Sequence, residues 1–182
     1  MKIEDDYRHK GMRKRLIREL AMTDISDSTV LQAMELVPRH VFLHSAFLEL
    51  AYENKALPIG VEQTISAPLT VAKQSQLLQL RPGMKVLEVG TGSGYQTAVL
   101  HAMGAKVFSI ERQMTLLETA KPILHALNVK AHLTYGDGYK GLATYAPFDR
   151  ILITCGTPFI PEELVQQLKP GGRMVLPFGP MD

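Results

Sequence analysis

The sequence has little of several features that would narrow its function at once. It has one cysteine, Cys155, no tryptophan, and six histidines without the spacing typical of metal ligands. A single cysteine excludes an intrachain disulfide, and neither it nor the histidines predict a metal site. The net charge of +2 is too small to indicate nucleic acid or a membrane surface as the main partner. The basic stretch RHKGMRKRLIR lacks interleaved aromatic residues, which favours a solvated helix face over contact with phosphates.

Long apolar runs are also absent. No window approaches the roughly twenty apolar residues of a membrane-spanning helix. The opening stretch MKIEDDYRHK carries acids where a secretion signal has a basic start followed by an apolar run. These absences predict a cytoplasmic protein. With 182 residues, 46% hydrophobic and 21% charged, the chain is expected to form a single domain with a sizeable core.

Two regions of the chain differ in pattern. Residues 1–55 are expected to form a helical subregion that packs on a core formed by residues 56–182. Apolar residues in this first region recur at helical spacing. The predicted helices run over 7–22, from a cap at Ser26 or Asp27 to Glu35, and over 42–50.

From Lys85 onward, apolar β-rich runs alternate with helical patterns. This order favours an α/β fold with a parallel sheet covered by helices on both faces. In such folds, ligands bind at the carboxyl ends of the strands. Predicted strands cover 85–89, 105–110, 129–135, 148–155 and 173–178, and predicted helices cover 95–103, 114–127 and 161–168.

A glycine-rich loop follows the first of these strands, in the run EVGTGSGY. A dinucleotide loop, G-x-G-x-x-G, needs its last glycine where Tyr95 stands, so a dehydrogenase is disfavoured. Glu88 precedes the first glycine, and a carboxylate there repels pyrophosphate but suits a cation. S-adenosylmethionine, with its ammonium and sulfonium, fits this loop better.

The next two strands also end in acids. Glu111 closes the second strand about twenty residues past the loop, where such folds place an acid on ribose hydroxyls. Asp137 follows the third strand between Gly136 and Gly138. A surface acid or a plain turn would explain either feature alone. Together with the glycine loop they indicate a nucleoside-bearing ligand.

Seven blocks of sequence carry a more specific resemblance. They are VPRHVFL (37–43), AYENKALPIGVEQTISAPLTVAKQSQLLQL (51–80), VLEVGTGSGYQTAVL (86–100), SIER (109–112), YGDGYKG (135–141), APFDRILITCGTP (146–158) and LKPGGRMVLPFG (168–179). In this order they resemble the protein-L-isoaspartate(D-aspartate) O-methyltransferase family. The block around ALPIG…QTISAP discriminates most, because other methyltransferase families lack it.

The resemblance implies a Rossmann-like class I methyltransferase fold with an N-terminal helical extension. It implies methyl transfer from S-adenosyl-L-methionine to the carboxylate of L-isoaspartyl, and possibly D-aspartyl, residues, with S-adenosyl-L-homocysteine as product. The implied partners are age-damaged proteins and peptides, and the implied state is a monomer. The nucleophile would be a carboxylate with a pKa near ~4, which is ionised at neutral pH and needs no general base.

The resemblance also implies a set of site residues. The catalytic residue is Ser66, as a hydroxyl that orients the substrate carboxylate. The cofactor-binding residues are Thr64, Ile65, Glu88, Gly90, Thr91, Gly92, Ser93, Gly94, Glu111, Arg112, Gly136, Asp137 and Gly138. The substrate-binding residues are Leu57, Pro58, Ile59 and Gly60.

Structural alternatives stay open for two of these assignments. Ser66 stands before Pro68 and a helical run, so it is also a plausible helix cap. The stretch LPIG can offer extended backbone to a peptide, or it can be a buried apolar turn. Cys155 is predicted to be a small buried residue near the pocket, and Asp149 a structural acid at a strand start.

Two departures from the family pattern leave the function open as well. Leu69 stands where the family often has a histidine or an aromatic residue, which keeps a related carboxyl or small-molecule methyltransferase in view. The C-terminal strands of the family are expected to be absent, which would leave the edge of the sheet at 173–178 unpaired. A cofactor-binding protein without turnover is therefore a further alternative.

Overall fold

The computed structural model describes residues 3–179. The end of the chain at Asp182, after which the C-terminal strands of the family are expected to be absent, lies outside these residues. The strands in this part are β1 Leu57–Gly60, β2 Gln63–Ile65, β3 Lys85–Val89, β4 Lys106–Glu111, β5 Ala131–Tyr135, β6 Phe148–Ile153 and β7 Leu168–Val175. Five of them form a parallel sheet in the order β5-β4-β3-β6-β7. The other two form a small antiparallel sheet. The predicted α/β architecture is confirmed.

The part of the chain that the structure describes contains six α-helices. They are α1 Tyr7–Ala21, α2 Ser28–Leu36, α3 Pro68–Leu78, α4 Tyr95–Ala102, α5 Met114–Ala126 and α6 Glu162–Gln166. The Asp6 carboxylate accepts a hydrogen bond from the His9 amide at 2.8 Å and starts α1. Asp27, rather than Ser26, caps α2, because its carboxylate accepts from the Thr29 amide at 2.8 Å.

The helix predicted over 42–50 is wrong. Two short 3-10 helices, Arg39–Phe42 and Ser45–Leu50, lie there instead. Leu43 is extended between them, with φ −119° and ψ 152°, so a single helix cannot continue across it. The His44 side chain then caps the second of the two.

The N-terminal helices pack against the helices that flank the main sheet. Central strand β3 buries Val86 and Leu87 completely, as expected for a strand covered on both faces. One continuous cluster joins Leu16 of α1 and Val30 of α2 to Val99 of α4. The helical subregion therefore packs directly on the rest of the chain.

Strand β7 begins earlier than predicted. It runs from Leu168 rather than Arg173, and its register against β6 shifts between Phe148 and Arg150. The excess residues on β7 include Pro170 and two glycines, which lie before the start of the predicted strand. They form an irregular excursion within the paired segment.

The small sheet was not predicted as strands. β1 and β2 pair through Leu57 with Ile65 and Pro58 with Thr64. Val61 and Glu62 make the turn between them, both in the left-handed region with φ 45° and 57°. We call residues 57–65 the hairpin. It precedes α3 and leaves the plane of the main sheet.

Two further expectations concern the surroundings of the core. The carboxylate of Asp149, at the start of β6, accepts hydrogen bonds from Lys169 Nζ and the Lys85 amide, both at 2.7 Å. These donors lower the pKa of Asp149, which is the structural acid that the sequence predicts. Among residues 3–179, no helix has both the length and the apolar character that a membrane crossing requires.

Candidate active site

A cavity of about 410 Å³ lies at the carboxyl ends of the parallel strands. This is the edge at which open α/β sheets bind ligands, and the volume is within the usual range for small-molecule sites. The hairpin and the loop between β3 and α4 both contribute lining residues. The predicted residues that line it are Ile59, Thr64, Ile65, Ser66, Gly90, Thr91, Gly92, Ser93, Glu111, Arg112, Asp137 and Gly138.

The glycine loop packs closely against its neighbours. Gly90 has φ +97°, and a Cβ there would lie 2.5 Å from the Thr154 hydroxyl. Gly94 lies behind the loop at the start of α4, where a Cβ would press on Ala120 and Leu124 of α5 at 3.1–3.3 Å. Gly94 does not line the cavity, so its role is helix packing rather than the ligand contact that the resemblance implies.

Glu111 ends β4 on the floor of the cavity. Its two carboxylate oxygens accept hydrogen bonds from the amides of Gly92 at 2.8 Å and Gln113 at 2.9 Å. The residue is only 6% exposed. A carboxylate offers about four acceptor positions, so this one can still accept bonds from a pair of hydroxyls.

Glu88 is not where the sequence reading placed it. Its side chain is fully buried on the opposite face of β3 from the cavity, and Thr97 and Ser109 donate to its Oε2 atom. Burial raises the pKa of Glu88 to about 7, although these two donors oppose the shift. The sequence analysis implied that Glu88 contacts a ligand in the cavity directly. Its buried position on the other face of β3 corrects this expectation.

The turn after β5 brings a second acid to the cavity. The Asp137 carboxylate accepts from the Tyr139 amide at 3.0 Å, which holds the turn. A Cβ on Gly138 would overlap the Val89 side chain, so only glycine permits this close approach. Gly136 lies behind, against Ile110, and does not line the cavity.

The hairpin presents only part of the predicted substrate segment to the cavity. Ile59 lines it, whereas Leu57 is buried in the core. Pro58 and Gly60 are exposed to solvent outside the cavity. A buried apolar turn is thus the wrong description of residues 57–60, because they form a strand.

Ser66 does not cap α3. The first residue before the helix is Ala67, and the Leu69 amide donates to Asn54 Oδ1 at 2.9 Å. No side-chain hydrogen bond holds the Ser66 hydroxyl within residues 3–179, and Ser66 lines the cavity. The Leu69 side chain packs against the main core rather than the cavity.

Several lining residues were missed. Tyr95 lines the cavity at the start of α4, with its ring buried. The guanidinium of fully buried Arg39 lies 5.0 Å from the centre of that ring. Burial raises the pKa of Tyr95 to about 12, so the phenol is neutral. The sequence put Tyr95 in the glycine motif, but the contact with Arg39 joins segments that no local pattern connects.

The segment after β6 also differs from expectation. Cys155 lies at the strand end beside the cavity, as predicted, but it is exposed rather than buried. Nearby, the rings of Tyr139 and Phe159 lie 5.2 Å apart, and Phe159 is half exposed. This side of the cavity is therefore more open and more aromatic than the sequence suggested.

Comparison with known proteins identifies relatives of this chain. The sequence model of the protein-L-isoaspartate(D-aspartate) O-methyltransferase family matches residues 11–182. A protein-L-isoaspartate O-methyltransferase of Cytophaga hutchinsonii is 55% identical over 97% of this chain and 80% of its own. One from Flavobacterium johnsoniae is 52% identical over 97% of this chain and 84% of its own.

Solved structures show the same similarity. A protein-L-isoaspartate O-methyltransferase superposes with a TM-score of 0.84 at 32% identity, over 91% of this chain and 55% of that one. A Plasmodium falciparum protein assigned to the same family, solved in complex with S-adenosyl-L-homocysteine, superposes with a TM-score of 0.77 at 24% identity, over 97% of this chain and 86% of that one. The second shows likeness of fold. From the family match and these relatives, the chain belongs to the protein-L-isoaspartate(D-aspartate) O-methyltransferase family.

Proposed function

We propose that this protein transfers a methyl group from S-adenosyl-L-methionine to the free carboxylate of L-isoaspartyl residues, and of D-aspartyl residues, in damaged proteins and peptides. Membership of the family supports this activity, as do relatives that carry that enzyme name. The observation that carries it on this chain is the Ser66 hydroxyl. It has no side-chain partner among residues 3–179, and Ser66 lines the same cavity as the glycine loop.

The residues of the cavity fit the cofactor. Glu111 is held by two backbone amides and keeps acceptor positions for the ribose hydroxyls. The part of the cavity wall that is formed by Gly90, Gly92 and Ser93 carries no large side chain, which leaves room for the cofactor. Asp137 and Gly138 would bound the adenosine portion, together with Arg112 and Ile65. The cofactor, when bound, supplies a methyl group on a sulfonium that is already activated for displacement.

We assign Ser66 the role of orienting the acceptor. Its hydroxyl has one donor and two acceptor positions, and it can hold one oxygen of the substrate carboxylate while the other oxygen attacks. The new bond joins carboxylate oxygen to methyl carbon, and the bond between methyl carbon and sulfur breaks. The products are a methyl ester and S-adenosyl-L-homocysteine, and no proton is transferred. Alignment alone can contribute roughly 7–11 kcal/mol in favourable cases.

We propose that the substrate peptide binds along the hairpin. Within residues 3–179, β1 pairs on one side with β2 and has no strand on its other side. An extended peptide can add to such a free edge through backbone hydrogen bonds. Ile59, which lines the cavity, would then set the distance between the peptide and the glycine loop, whereas Pro58 and Gly60 would shape the outer edge.

The direct test is methylation of two peptides that differ only in one linkage. We expect labelled methyl transfer from S-adenosyl-L-methionine to the isoaspartyl peptide and none to its aspartyl twin. Equal transfer to both would exclude the proposed specificity. Binding of S-adenosyl-L-homocysteine without transfer to either peptide would indicate a binding protein instead.

The role of Ser66 has its own test. Ser66→Ala should lower kcat on the isoaspartyl peptide by about 10²-fold or more, since misalignment of reacting groups has effects of that size. The affinity for S-adenosyl-L-homocysteine should be almost unchanged. The matched control is Ser66→Ala with Ala67→Ser, which moves the hydroxyl by one residue and should not restore turnover. Full turnover in the single variant would exclude an orienting role.

Two further points belong to the same proposal. We infer a cytoplasmic monomer, in line with the resemblance to the family. Size-exclusion chromatography with light scattering tests the oligomeric state, and a stable dimer would contradict the inference.

A further inference from the structure

We propose that Glu88 is a positioning residue that acts on the cofactor without touching it, by setting the direction of a hydroxyl relay that runs from Glu88 through Ser109 to Thr91. The relay would make the glycine loop favour the cationic amino-acid end of the cofactor. This inference rests on the proposed function for the identity of that cofactor.

The relay is a continuous chain of hydrogen bonds beneath the loop. Ser109 Oγ, on β4, donates to Glu88 Oε2 at 2.6 Å. Thr91 Oγ1, in the glycine loop, lies 2.6 Å from Ser109 Oγ. All three residues are buried, and Thr91 also lines the cavity. The chain therefore connects the buried carboxylate to the wall of the site.

The ionised carboxylate fixes which way each hydroxyl points. A carboxylate accepts only, so Ser109 must donate its single proton to Glu88. Thr91 must then donate to Ser109, because Ser109 has no second proton. The Thr91 hydroxyl consequently offers only lone pairs to other neighbours. A wall group that can only accept favours an ammonium and disfavours an anion.

Protonation of Glu88 allows the opposite direction. The Oε1 atom is buried without a partner among residues 3–179, so an acid proton finds an acceptor only from Oε2, at Ser109 or Thr97. Donation to Ser109 turns its proton toward Thr91, and the Thr91 proton is released from the relay. The same three side chains can thus present an acceptor or a donor at the loop.

The surroundings of Glu88 place this change near neutral pH. Uncharged side chains face Glu88. They are Thr97 of α4, Ser109 of β4 and Leu152 of β6, and Leu152 is the residue that pairs with Glu88 in the sheet register. The carboxylate of Glu111 is the charge that reaches it. Burial, and secondarily Glu111, raise the pKa of Glu88 to about 7.

The relay predicts a pH-dependent affinity that is confined to the amino-acid end of the ligand. S-adenosyl-L-homocysteine carries the ammonium, whereas 5′-methylthioadenosine has the same nucleoside and sulfur but lacks it. If only the ionised form binds the ammonium well, about 3% of the protein is competent near pH 5.5, which weakens affinity roughly 30-fold relative to about pH 8.5. The affinity for 5′-methylthioadenosine should change little.

The test is calorimetric titration of the full chain with both ligands across this pH range. In the unaltered protein we expect the affinity for S-adenosyl-L-homocysteine to rise at least about tenfold with pH, with proton release on binding near neutral pH. Glu88→Gln should flatten the profile. Ser109→Ala should also flatten it and reduce the preference for S-adenosyl-L-homocysteine at high pH.

Thr97→Val is the matched control for Ser109→Ala. Each variant removes one donor to the same oxygen of Glu88, but only Ser109 continues to the loop. Thr97→Val should therefore shift the profile to higher pH and keep the preference for the ammonium ligand. Circular dichroism verifies that each variant is folded, and Ser109→Ala decides the question should Glu88→Gln fail to fold.

The possible outcomes separate the relay from the proposed function. A pH profile in Ser109→Ala like that of the unaltered protein would overturn the relay, and so would an equal profile for both ligands. A purely structural role would weaken both ligands alike, which would also overturn it. Failure of the unaltered protein to bind S-adenosyl-L-homocysteine at any pH would instead refute the proposed function.

Discussion

Replacing Gly90 by alanine should destabilise the protein through two separable effects. Gly90 has φ +97°, where a side chain strains the backbone. The added Cβ would lie 2.5 Å from the Thr154 hydroxyl. The single proton of that hydroxyl is shared between the carbonyl oxygens of Val89 at 3.0 Å and Gly90 at 2.8 Å, so displacing the hydroxyl breaks this shared hydrogen bond.

Gly60 separates the two contributions. It has almost the same φ, +96°, but no heavy atom lies within 4 Å of where its Cβ would be. Gly60→Ala should therefore cost only the backbone strain, about 1–3 kcal/mol. Gly90→Ala adds the loss of the shared Thr154 hydrogen bond, about 0.5–1.5 kcal/mol. We expect the free energy of unfolding to fall by about 1.5–4.5 kcal/mol in Gly90→Ala.

Urea unfolding followed by circular dichroism measures both variants. A double-mutant cycle with Thr154→Ala isolates the contact, since that change removes the oxygen that the new Cβ would meet. We expect the loss caused by Gly90→Ala to be smaller by about 0.5–1.5 kcal/mol when Thr154 is already alanine. Equal losses in Gly90→Ala and Gly60→Ala, or no coupling with Thr154, would refute the reasoning.

Three further predictions concern stability. Because burial raises the pKa of Glu88 to about 7, the folded state holds its proton more tightly than the unfolded state. The unfolding free energy of the unaltered protein, relative to that of Glu88→Gln, should therefore fall by up to about 3 kcal/mol from about pH 5 to 8. Urea titration of both proteins measures this, and a difference between them that does not change with pH would contradict it. Asn54→Ala should destabilise the protein by about 1 kcal/mol in thermal unfolding, because it removes the oxygen that accepts from the Leu69 amide at the start of α3. Asn54→Asp keeps such an oxygen and should not destabilise the protein. Val61→Asn should raise the unfolding free energy by about 1 kcal/mol because asparagine tolerates φ 45°, and a loss would show that the turn is unstrained.

The main sheet was predictable because each strand carries a local signal. Runs such as VLEV and FDRILI are apolar and bounded by glycine or polar residues, and they alternate with helical patterns. The hairpin carried no such signal. Its turn is Val61-Glu62, whereas the usual two-residue turn with both φ positive uses Asn-Gly or Asp-Gly.

The position of the site was predictable for a topological reason. Parallel strands end at one edge of a sheet, so Glu111, Asp137 and the glycine loop had to meet there. The error on Glu88 came from neglecting alternation along a strand. Val89 reaches the cavity, so its neighbour Glu88 must point to the other face.

Contacts between distant segments were beyond the sequence. Asn54 caps α3 across fifteen residues, which leaves Ser66 without a capping role, although Ser66 has a capping residue type near a helix start. Arg39 backs the Tyr95 ring from a 3-10 helix that the sequence analysis did not predict. Only the packed core brings these pairs together.

The electrostatics of the cavity suit a reaction that removes charge. A carboxylate and a sulfonium react to give a neutral ester and a neutral thioether, so charge is lost as the transition state forms. Surroundings of low polarity destabilise the charged reactants more than the transition state, which carries less charge, and therefore favour such a step. Ile65, Val89, Ile110 and Leu116 supply apolar walls around the cavity. In the proposed relay, Glu88 gives the cofactor a nearby negative field from behind the loop, without adding a third carboxylate to those of Glu111 and Asp137 that line the cavity.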